Sequence, residues 1–441
     1  MSVTIVQKSQ GALRRKPRLA LVLSGGAISG GAFKIGGLIA VDTFFTNLSV
    51  CDCDIYMGIS AGSFLAAPLA AGIRPQDILR SFTGRSATYT SFNAWDFYWP
   101  NIAEVADKGR SALQELASLY PSLLWTLARM SSKSGPLAFS ALRKLLGKGE
   151  FQGKAILARQ KREVESLIDQ LPSLMAFIPS GVFDNAAIER YLRKNLIRAR
   201  IPNNFSLLQK ERGKALYIHA VDLDTAQDVV FGPDERNDVT ISEAVQASTA
   251  LPGFYKPALI AGRYYIDGNA KQTAPIELAM AKGADLIFCY NPFRPFTHAP
   301  NKSLSKKYSS LGEMGLSKVI DQSIRTLLHS RLALAIEDVR NQSSFHGDLV
   351  VVEPAESDKE FFSINPLSFW GRADAARHGF TTVYRDIQRN LVRLQNLLGR
   401  YGIQTSMARL EFIMERLGDA SSQEQIVEIL SSPPVPQGWQ G

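Results

Sequence analysis

A serine between two glycines is the first place in the sequence where chemistry is expected. Ser60 is the central residue of Gly58-Ile59-Ser60-Ala61-Gly62, which follows an apolar run and precedes a small-residue helical pattern from Ala61 to Ala71. The spacing G-x-S-x-G is typical of a nucleophile elbow, a sharp strand-to-helix turn that exposes a serine hydroxyl above a sheet edge. Gly58 and Gly62 lack Cβ atoms, so strand and helix can approach closely while Ser60 holds a strained backbone. A working nucleophile also needs an oxyanion hole, a base and a pocket.

A glycine-rich turn after the apolar run Leu19–Leu23 is the candidate oxyanion hole. The sequence predicts a turn from Ser24 to Gly31 and then a helix from about Ala32 to Phe45. Backbone N–H groups near a helix N-terminus stabilise developing negative charge, and the candidates here are Gly25, Gly26 and Ala27. The same turn has the look of a dinucleotide-binding fingerprint. That interpretation is disfavoured, because alanine holds the third glycine position and no acid ends the next strand.

An aspartate with two possible roles is Asp267, in Tyr264-Tyr265-Ile266-Asp267-Gly268-Asn269. A hydroxyl is a poor nucleophile at neutral pH, and a carboxylate within hydrogen-bond reach can activate it. Asp267 ends a predicted strand, from which its side chain can point into a cleft. By itself, an Asp-Gly pair is more often a turn between strands. None of the five histidines has a sequence setting that places it beside Ser60, and His219, in an apolar strand, is predicted to be a core residue. A Ser-His-Asp triad stays open, because its members need not be close in sequence.

The predicted elements that position these residues indicate an α/β fold. Strand, glycine-rich turn, helix, strand, elbow and helix form a βαβα pattern, which is typical of a parallel sheet. Further strands are predicted at 215–221, with a hairpin partner at 227–231, at 284–290 and at 348–353. Residues 76 to about 200 are predicted to be mostly helical and separate Ser60 from Asp267.

Composition and charge favour an anionic partner. The 441 residues are 45% hydrophobic and 21% charged, with a formal net charge of +9. Between Arg129 and Arg162 there are nine Lys or Arg residues and one acid, and a basic amphipathic helix is predicted from Pro136. Such a helix can lie on an anionic bilayer or pack as a solvated helical subdomain. Five aromatic residues within 92–99 either face a membrane or fill a core. Nucleic-acid binding is not predicted, because net charge is its only support.

The cysteine content and the lack of recognisable targeting signals indicate the cellular compartment. Three cysteines and few histidines in metal-ligand spacing predict no metal site, no cofactor and no disulfide framework, which suits a reducing, cytoplasmic compartment. The basic N-terminus is not followed by the apolar region of a signal peptide. No apolar stretch is expected to reach the length of a membrane span.

The sequence resembles the patatin-like phospholipase family in three motifs that occur in order. The first is Leu23-Ser24-Gly25-Gly26-Ala27 with Gly30-Gly31-Ala32-Phe33, the second is the Ser60 pentapeptide, and the third runs from Ala247-Ser248-Thr249-Ala250-Leu251-Pro252 through Pro257 and Asp267-Gly268-Asn269 to Pro275. The likeness covers residues 18–390. One such motif is weak, but the ordered set is specific.

The resemblance implies a lipid acyl hydrolase of the phospholipase A or lysophospholipase type that needs no metal or cofactor. It implies a Ser-Asp dyad, Ser60 and Asp267, an oxyanion hole at Gly25, Gly26 and Ala27, and motif glycines at Gly30, Gly58, Gly62 and Gly268. It also implies a three-layer α/β fold with a mostly parallel sheet, helices on both faces and a helical insertion at about 76–200. The predicted domains are 18–390 and a C-terminal helical tail, 391–441. The expected partners are acyl lipid and, peripherally, an anionic membrane, and no oligomeric state is predicted.

Two departures from the family pattern keep alternatives open. Ala27 stands where a third glycine is usual, one extra residue precedes Gly31, and the usual basic residue is missing, with Lys34 the nearest cation. Asn269 stands where Gly or Ala is usual. The alternatives are a thioesterase or acyltransferase that uses the same dyad, and a catalytically weakened member that binds lipid or a protein partner.

Overall fold

The computed structural model describes residues 3–10, 16–86, 89–102, 104, 106–108, 110, 179–298 and 308–432. Contacts divide the chain into two compact units, one formed by Met1–Trp99 with Phe183–Gly441 and the other by Pro100–Val182. The predicted basic amphipathic helix from Pro136 lies outside the described residues, as does most of the predicted helical insertion. The domain limits 18–390 and 391–441 stay a prediction.

The first unit is built on a mixed sheet whose central strands are parallel. The strands of the chain are β1 (Val3–Gln7), β2 (Leu19–Leu23), β3 (Ile55–Ile59), β4 (Gly181–Phe183), β5 (Ala215–Asp222), β6 (Asp228–Phe231), β7 (Gly253–Tyr255), β8 (Ala258–Ile260), β9 (Arg263–Asp267), β10 (Leu286–Tyr290) and β11 (Asp348–Val352). The order in the sheet is β1-β11-β10-β2-β3-β5-β9-β8, and β6 also pairs with β5. Strands β11, β10, β2, β3 and β5 run parallel, whereas β1, β6, β8 and β9 pair antiparallel.

Helices cover both faces of this sheet. The described helices are Ala27–Phe44, Ala61–Ala70, Pro75–Arg80, Ala186–Arg198, Phe205–Arg212, Ile241–Ser248, Ile276–Ala281, Leu316–Asn341, Lys359–Ser363, Arg372–Arg389, Leu391–Arg400, Met407–Gly418 and Gln423–Ser431. One core cluster joins the helices Ala27–Phe44 and Arg372–Arg389 to one face of the sheet. A second cluster packs Leu332, Ile336 and Val339 against the other face. The predicted α/β fold with a mostly parallel sheet and helices on both faces is confirmed.

The first helix begins earlier than the sequence predicts. It starts at Ala27, with Gly26 (φ 140°) as its N-cap, whereas the glycine spacing predicted a turn up to Gly31. Close packing requires a glycine at Gly37, where a Cβ would lie 2.1 Å from Tyr290 Oη, whereas at Gly30 (3.4 Å from Pro292 Cγ) and Gly31 (3.5 Å from Ala61 Cβ) it would make only ordinary contact. Tertiary contacts therefore outweigh the low helix propensity of glycine here.

The same helix, Ala27–Phe44, is the one described helix that is long and apolar enough to cross a membrane. By length and composition it departs from the expectation that no stretch reaches that length. However, 78% of it is buried inside the protein. It packs closely on the helix Arg372–Arg389, where a Cβ at Gly36 would lie 1.8 Å from Ala376 O and one at Gly379 would lie 1.9 Å from Phe33 O. Such burial is typical of a core helix.

In the described part of the second unit, Glu104 holds two chain segments together. Its carboxylate accepts hydrogen bonds from Asn101 Nδ2 (2.6 Å) and from the backbone N and Oγ of Ser180 (2.8 Å each). Asn101 Nδ2 also donates to Gly181 O at 3.0 Å. Burial raises the pKa of Glu104, but these hydrogen bonds together outweigh it and hold the pKa below its usual value.

Candidate active site

Ser60 lies in a strained turn between β3 and the helix Ala61–Ala70. Its backbone has φ 53° and ψ −127°, a conformation that costs a non-glycine residue about 1–3 kcal/mol. The Ser60 N–H donates to Ser248 Oγ at 2.8 Å, and the Ser60 carbonyl accepts from Ser63 N at 2.9 Å. These contacts over-determine the turn, so the strain persists in the folded protein.

The two glycines beside Ser60 are required by close backbone approach. A Cβ at Gly62 would lie 2.0 Å from Leu23 O, and one at Gly58 would lie 2.4 Å from Ser63 Cα. Backbone atoms cannot move aside as the end of a flexible side chain can. The elbow therefore has the geometry that the G-x-S-x-G spacing predicts.

Asp267 lies at the end of β9, opposite Ala220 of β5, and is 1% exposed. Its Oδ1 accepts hydrogen bonds from the backbone N and from Nδ2 of Asn269, both at 2.9 Å. Its Oδ2 is buried and has no partner of good hydrogen-bond geometry in the described chain, yet the Ser60 hydroxyl is near enough to lower the Asp267 pKa. Burial raises the pKa of Asp267 to about 6, against the lowering effects of Ser60, Asn269 and Lys34. At neutral pH this carboxyl is mostly ionised.

Gly268 lets the Asp267 strand end approach the strand that carries Ser60. A Cβ at Gly268 would lie 2.6 Å from His219 O and 3.0 Å from Ile59 Cγ2. Ile59 is the residue before Ser60, and it pairs with His219 across β3 and β5. The fold thus brings together two motifs that are far apart in the sequence.

The glycine loop supplies free backbone donors beside these residues. In the described part of the chain, no hydrogen bond is formed by the N–H groups of Gly25, Gly26 or Ala27. Gly26 and Ala27 both have positive φ, 140° and 50°. Gly25 lies against the third motif, because a Cβ there would lie 2.0 Å from Asn269 Nδ2. Ala27 lines the same pocket as Ser60.

This pocket is strongly apolar and has an empty volume of about 700 Å³, part of it open to solvent. Its apolar lining includes Ile28, Ile35, Phe64, Leu65, Phe82, Phe92, Phe97, Ile188, Leu251, Phe254 and Leu367. Among the described residues that line it, Arg372 is the charged one and none is a histidine. His219 is a buried core residue, as predicted, with Nδ1 3.4 Å from Asp228 Oδ2. The lining can hold an alkyl chain next to a serine hydroxyl.

A family sequence model described as Patatin-like phospholipase matches residues 21–280. This range is more than half of the 441 residues and contains all three motifs. The chain belongs to the patatin-like phospholipase family. The resemblance found in the sequence is therefore confirmed, and lipid hydrolysis is the general class of activity that family membership supports.

Solved structures with likeness to this patatin-like chain are distant. VipD from Legionella pneumophila is 14% identical, with 97% of this chain and 86% of that chain covered and a TM-score of 0.28. The heterodimeric ExoU-SpcU complex of the type III secretion system of Pseudomonas aeruginosa contains a chain that is 17% identical, with 97% and 71% covered and a TM-score of 0.27. TM-scores this low do not establish a shared fold.

Two residues of this patatin-like site were missed by the sequence interpretation. Ser248 lies within the third motif, but only the structure shows its Oγ accepting from the Ser60 N–H. Lys34, noted only as a cation beyond the turn, is fully buried, with Nζ donating to the carbonyls of Ser24 and Gly25. A single lysine on the apolar side of a hydrophobic helix is the signal that could have identified it.

The contact between Gly25 and Asn269 gives a testable prediction for this patatin-like chain. Gly25→Ala places a Cβ 2.0 Å from Asn269 Nδ2, which displaces either the glycine loop or the amide that donates to Asp267. We expect Gly25→Ala to lower kcat/KM for a short-chain ester. Adding Asn269→Gly to this variant is expected to raise kcat/KM again by at least about tenfold, a coupling typical of residues in contact.

The matched control for this pair is Gly399→Ala, because a Cβ at Gly399 meets no heavy atom within 4 Å. This control is expected to leave kcat/KM unchanged. If the effects of Gly25→Ala and Asn269→Gly on kcat/KM simply add, the contact does not link the loop to Asp267.

Proposed function

We propose that the protein is a lipid acyl hydrolase of the phospholipase A or lysophospholipase type, with Ser60 as nucleophile and Asp267 as base. The observation that carries the proposal is the meeting of three features at one apolar pocket. These are a hydroxyl on a strained elbow, a buried ionised carboxylate whose pKa is lowered by this hydroxyl, and a glycine loop whose N–H groups form no hydrogen bond in the described chain.

In the proposed first step, the Asp267 carboxylate takes the proton from Ser60 Oγ as Oγ attacks the ester carbonyl carbon. The tetrahedral intermediate collapses, the ester C–O bond breaks, and the leaving alkoxide takes the proton from Asp267. An acyl-enzyme on Ser60 remains. In the second step, Asp267 takes a proton from water, which attacks the acyl carbon, and the fatty acid leaves as Ser60 Oγ recovers its proton.

The glycine loop supports this mechanism by offering charge stabilisation. The N–H groups of Gly25, Gly26 and Ala27 are donors for the negative oxygen of the tetrahedral intermediate. One such donor is typically worth about 2.7–4 kcal/mol of the activation barrier. Ala27 donates through its backbone as glycine does, so replacing the usual third glycine does not remove a donor.

Arg372 favours an acyl lipid that carries a negative charge. It lines the pocket, donates to Phe369 O (2.9 Å) and Phe82 O (2.7 Å), and has no ion pair within 4 Å among the described residues. Burial lowers the pKa of its guanidinium to about 10. A partly desolvated cation without an acid attracts an anionic group, and the phosphate of a phospholipid is such a group.

Exposed tryptophans beside the pocket favour binding to a membrane surface. Trp95, Trp99 and Trp370 are 66%, 48% and 68% exposed. Trp95 and Trp370 line a second cavity that shares Phe82, Phe92 and Arg372 with the Ser60 pocket. Tryptophan favours the headgroup level of a bilayer, and the net charge of +9 favours anionic lipid. We therefore propose peripheral attachment to an anionic membrane on this face.

The aromatic residues at 92–99 divide into a buried group and a solvent-exposed group. Phe92 is buried among Phe64, Phe97 and Tyr191, with ring centroids 4.3–5.3 Å apart. The two tryptophans of the run face solvent.

We also propose a cytoplasmic location, because Cys51, Cys53 and Cys289 are buried free thiols, as a reducing compartment allows.

The proposal predicts which substrates react and where an irreversible probe attaches. The purified protein is expected to release fatty acid from anionic phospholipid vesicles faster than from triacylglycerol or an acyl-thioester. A fluorophosphonate probe is expected to label Ser60, as mapped by peptide mass spectrometry. The controls are heat-denatured protein and a zwitterionic phospholipid of the same acyl chains.

Other outcomes of this experiment select the alternatives. Faster release from the acyl-thioester or triacylglycerol indicates a thioesterase or neutral lipase with the same dyad, and acyl transfer to an added alcohol indicates an acyltransferase. No labelling and no turnover, with vesicle binding retained, indicates the weakened lipid-binding member that the altered glycine loop suggests.

A further inference from the structure

Lys34 is a fully buried lysine that the proposed mechanism does not use. It lies on the first helix, Ala27–Phe44, and Nζ donates to the backbone carbonyls of Ser24 and Gly25, the latter at 2.7 Å. No carboxylate lies within 4 Å of Nζ in the described chain. Burying an ammonium group costs several kcal/mol unless hydrogen bonds and opposite charge offset it. A lysine at this place needs a reason beyond packing.

The two carbonyls belong to the peptide groups that present the oxyanion donors. A trans peptide group is planar, with its C=O and N–H pointing in opposite directions. The Ser24 carbonyl shares a plane with the Gly25 N–H, and the Gly25 carbonyl shares a plane with the Gly26 N–H. Holding both carbonyls at Nζ therefore fixes both N–H groups, which have no hydrogen-bond partner in the described part of the chain.

Lys34 also interacts electrostatically with the proposed base. Burial lowers the pKa of Lys34 to about 7, and attraction to Asp267 partly opposes this lowering. Burial raises the pKa of the Cys289 thiol, which is therefore neutral. Among the described residues, Asp267 is thus the charged group whose attraction raises the pKa of Lys34. The positive charge of Lys34 lowers the pKa of Asp267 in return.

We propose that Lys34 is a positioning residue that aligns the Gly25 and Gly26 N–H groups for the oxyanion and supplies a positive charge that acts on Asp267. The inference rests on the proposed function, because it assigns roles to the same loop and base. It assigns this role to a helix residue, next to a glycine loop (24–31) that contains no basic residue.

The test is Lys34→Met, which keeps an unbranched side chain one heavy atom shorter and removes the charge and the donors. We expect kcat/KM for a short-chain ester to fall about 10²-fold, the lower range for loss of an oxyanion donor. An alkyl trifluoromethyl ketone, which adds to serine as an oxyanion, is expected to lose affinity by a similar factor. An unreactive alkyl ether of the same chain length is expected to bind unchanged.

The pH profile gives a readout that packing alone does not move. Removing the Lys34 charge raises the pKa of Asp267, so the acidic limb of kcat/KM moves to higher pH than in the wild type. Lys34→Gln keeps an amide donor without the charge. It is expected to move the acidic limb in the same way but to lose less ketone affinity. If Lys34→Met does not fold, Lys34→Gln replaces it as the test variant.

Lys271→Met is the matched control, because Lys271 donates to a single carbonyl, Ala226 O, near the surface. The inference is overturned if, in both Lys34 variants, the acidic limb does not move or the ketone and the ether lose affinity equally. If instead the wild-type protein neither reacts with the ketone nor hydrolyses esters, the proposed function fails. The two failures are therefore distinguishable.

Discussion

Replacing Ser60 by alanine is expected to lower kcat for ester hydrolysis by about 10⁴-fold or more, as loss of a serine nucleophile does elsewhere. The change removes Oγ. It keeps the two backbone hydrogen bonds that hold the elbow, one from the N–H of residue 60 to Ser248 Oγ and one from the Ser63 N–H to the carbonyl of residue 60. The thermal midpoint of unfolding is therefore expected to stay close to that of the wild type. Fluorophosphonate labelling is expected to disappear with turnover.

The control for Ser60→Ala is Ser91→Ala, a serine that lines the second cavity and not the Ser60 pocket. It is expected to retain wild-type kcat and labelling. Intact-mass measurement after reaction with the probe, together with initial rates on a short-chain ester, gives both readouts. A Ser60→Ala protein that still hydrolyses the ester at the wild-type rate would exclude Ser60 as the nucleophile.

Replacing Asp267 by asparagine is expected to lower kcat by about 10³-fold with little change in KM, within the range for loss of a general base. Asparagine keeps the shape of the side chain but cannot accept the Ser60 proton. The direction of the pH dependence follows from the same role, because only the ionised carboxyl is a base. Since burial raises the pKa of Asp267 to about 6, wild-type kcat/KM is expected to rise with pH through about 6.

The pH–rate profile of the variant distinguishes a dyad from a triad. In Asp267→Asn the acidic limb near pH 6 is expected to vanish, because the group that titrates there is gone. Asp238→Asn, at an exposed aspartate paired with Arg236, is the control and is expected to keep both rate and limb. An acidic limb that survives in Asp267→Asn would identify another base, with a histidine such as His219 the first to replace.

Local patterns in the sequence predicted the parts of the fold and site that short-range geometry governs. The strand-turn-helix around Ser60 follows from glycines that permit close backbone approach, and the structure has that turn. The parallel order of β2 and β3 and the β5–β6 hairpin follow from apolar runs bounded by turn residues. The catalytic roles of Ser60 and Asp267 stay predictions that the variants above test.

Other features depended on partners that the local pattern does not contain. The first helix starts at Ala27 rather than Ala32, because Gly30 and Gly31, which otherwise indicate a turn, are buried inside a helix that packs closely at Gly36 on Ala376. The edge strand β1 was missed, because its short apolar run becomes a strand only by pairing with β11 at the other end of the chain.

The sequence by itself determined the family, the α/β class and which serine and aspartate to consider, because each is written in a short motif. Only the tertiary structure decided how the departures in the glycine loop are accommodated. Asn269 lies against Gly25 and donates to Asp267, and Lys34 reaches the Ser24 and Gly25 carbonyls from the following helix. These contacts join separate elements across the sheet edge, and their distances are set by the packing of the fold and not by spacing along the chain.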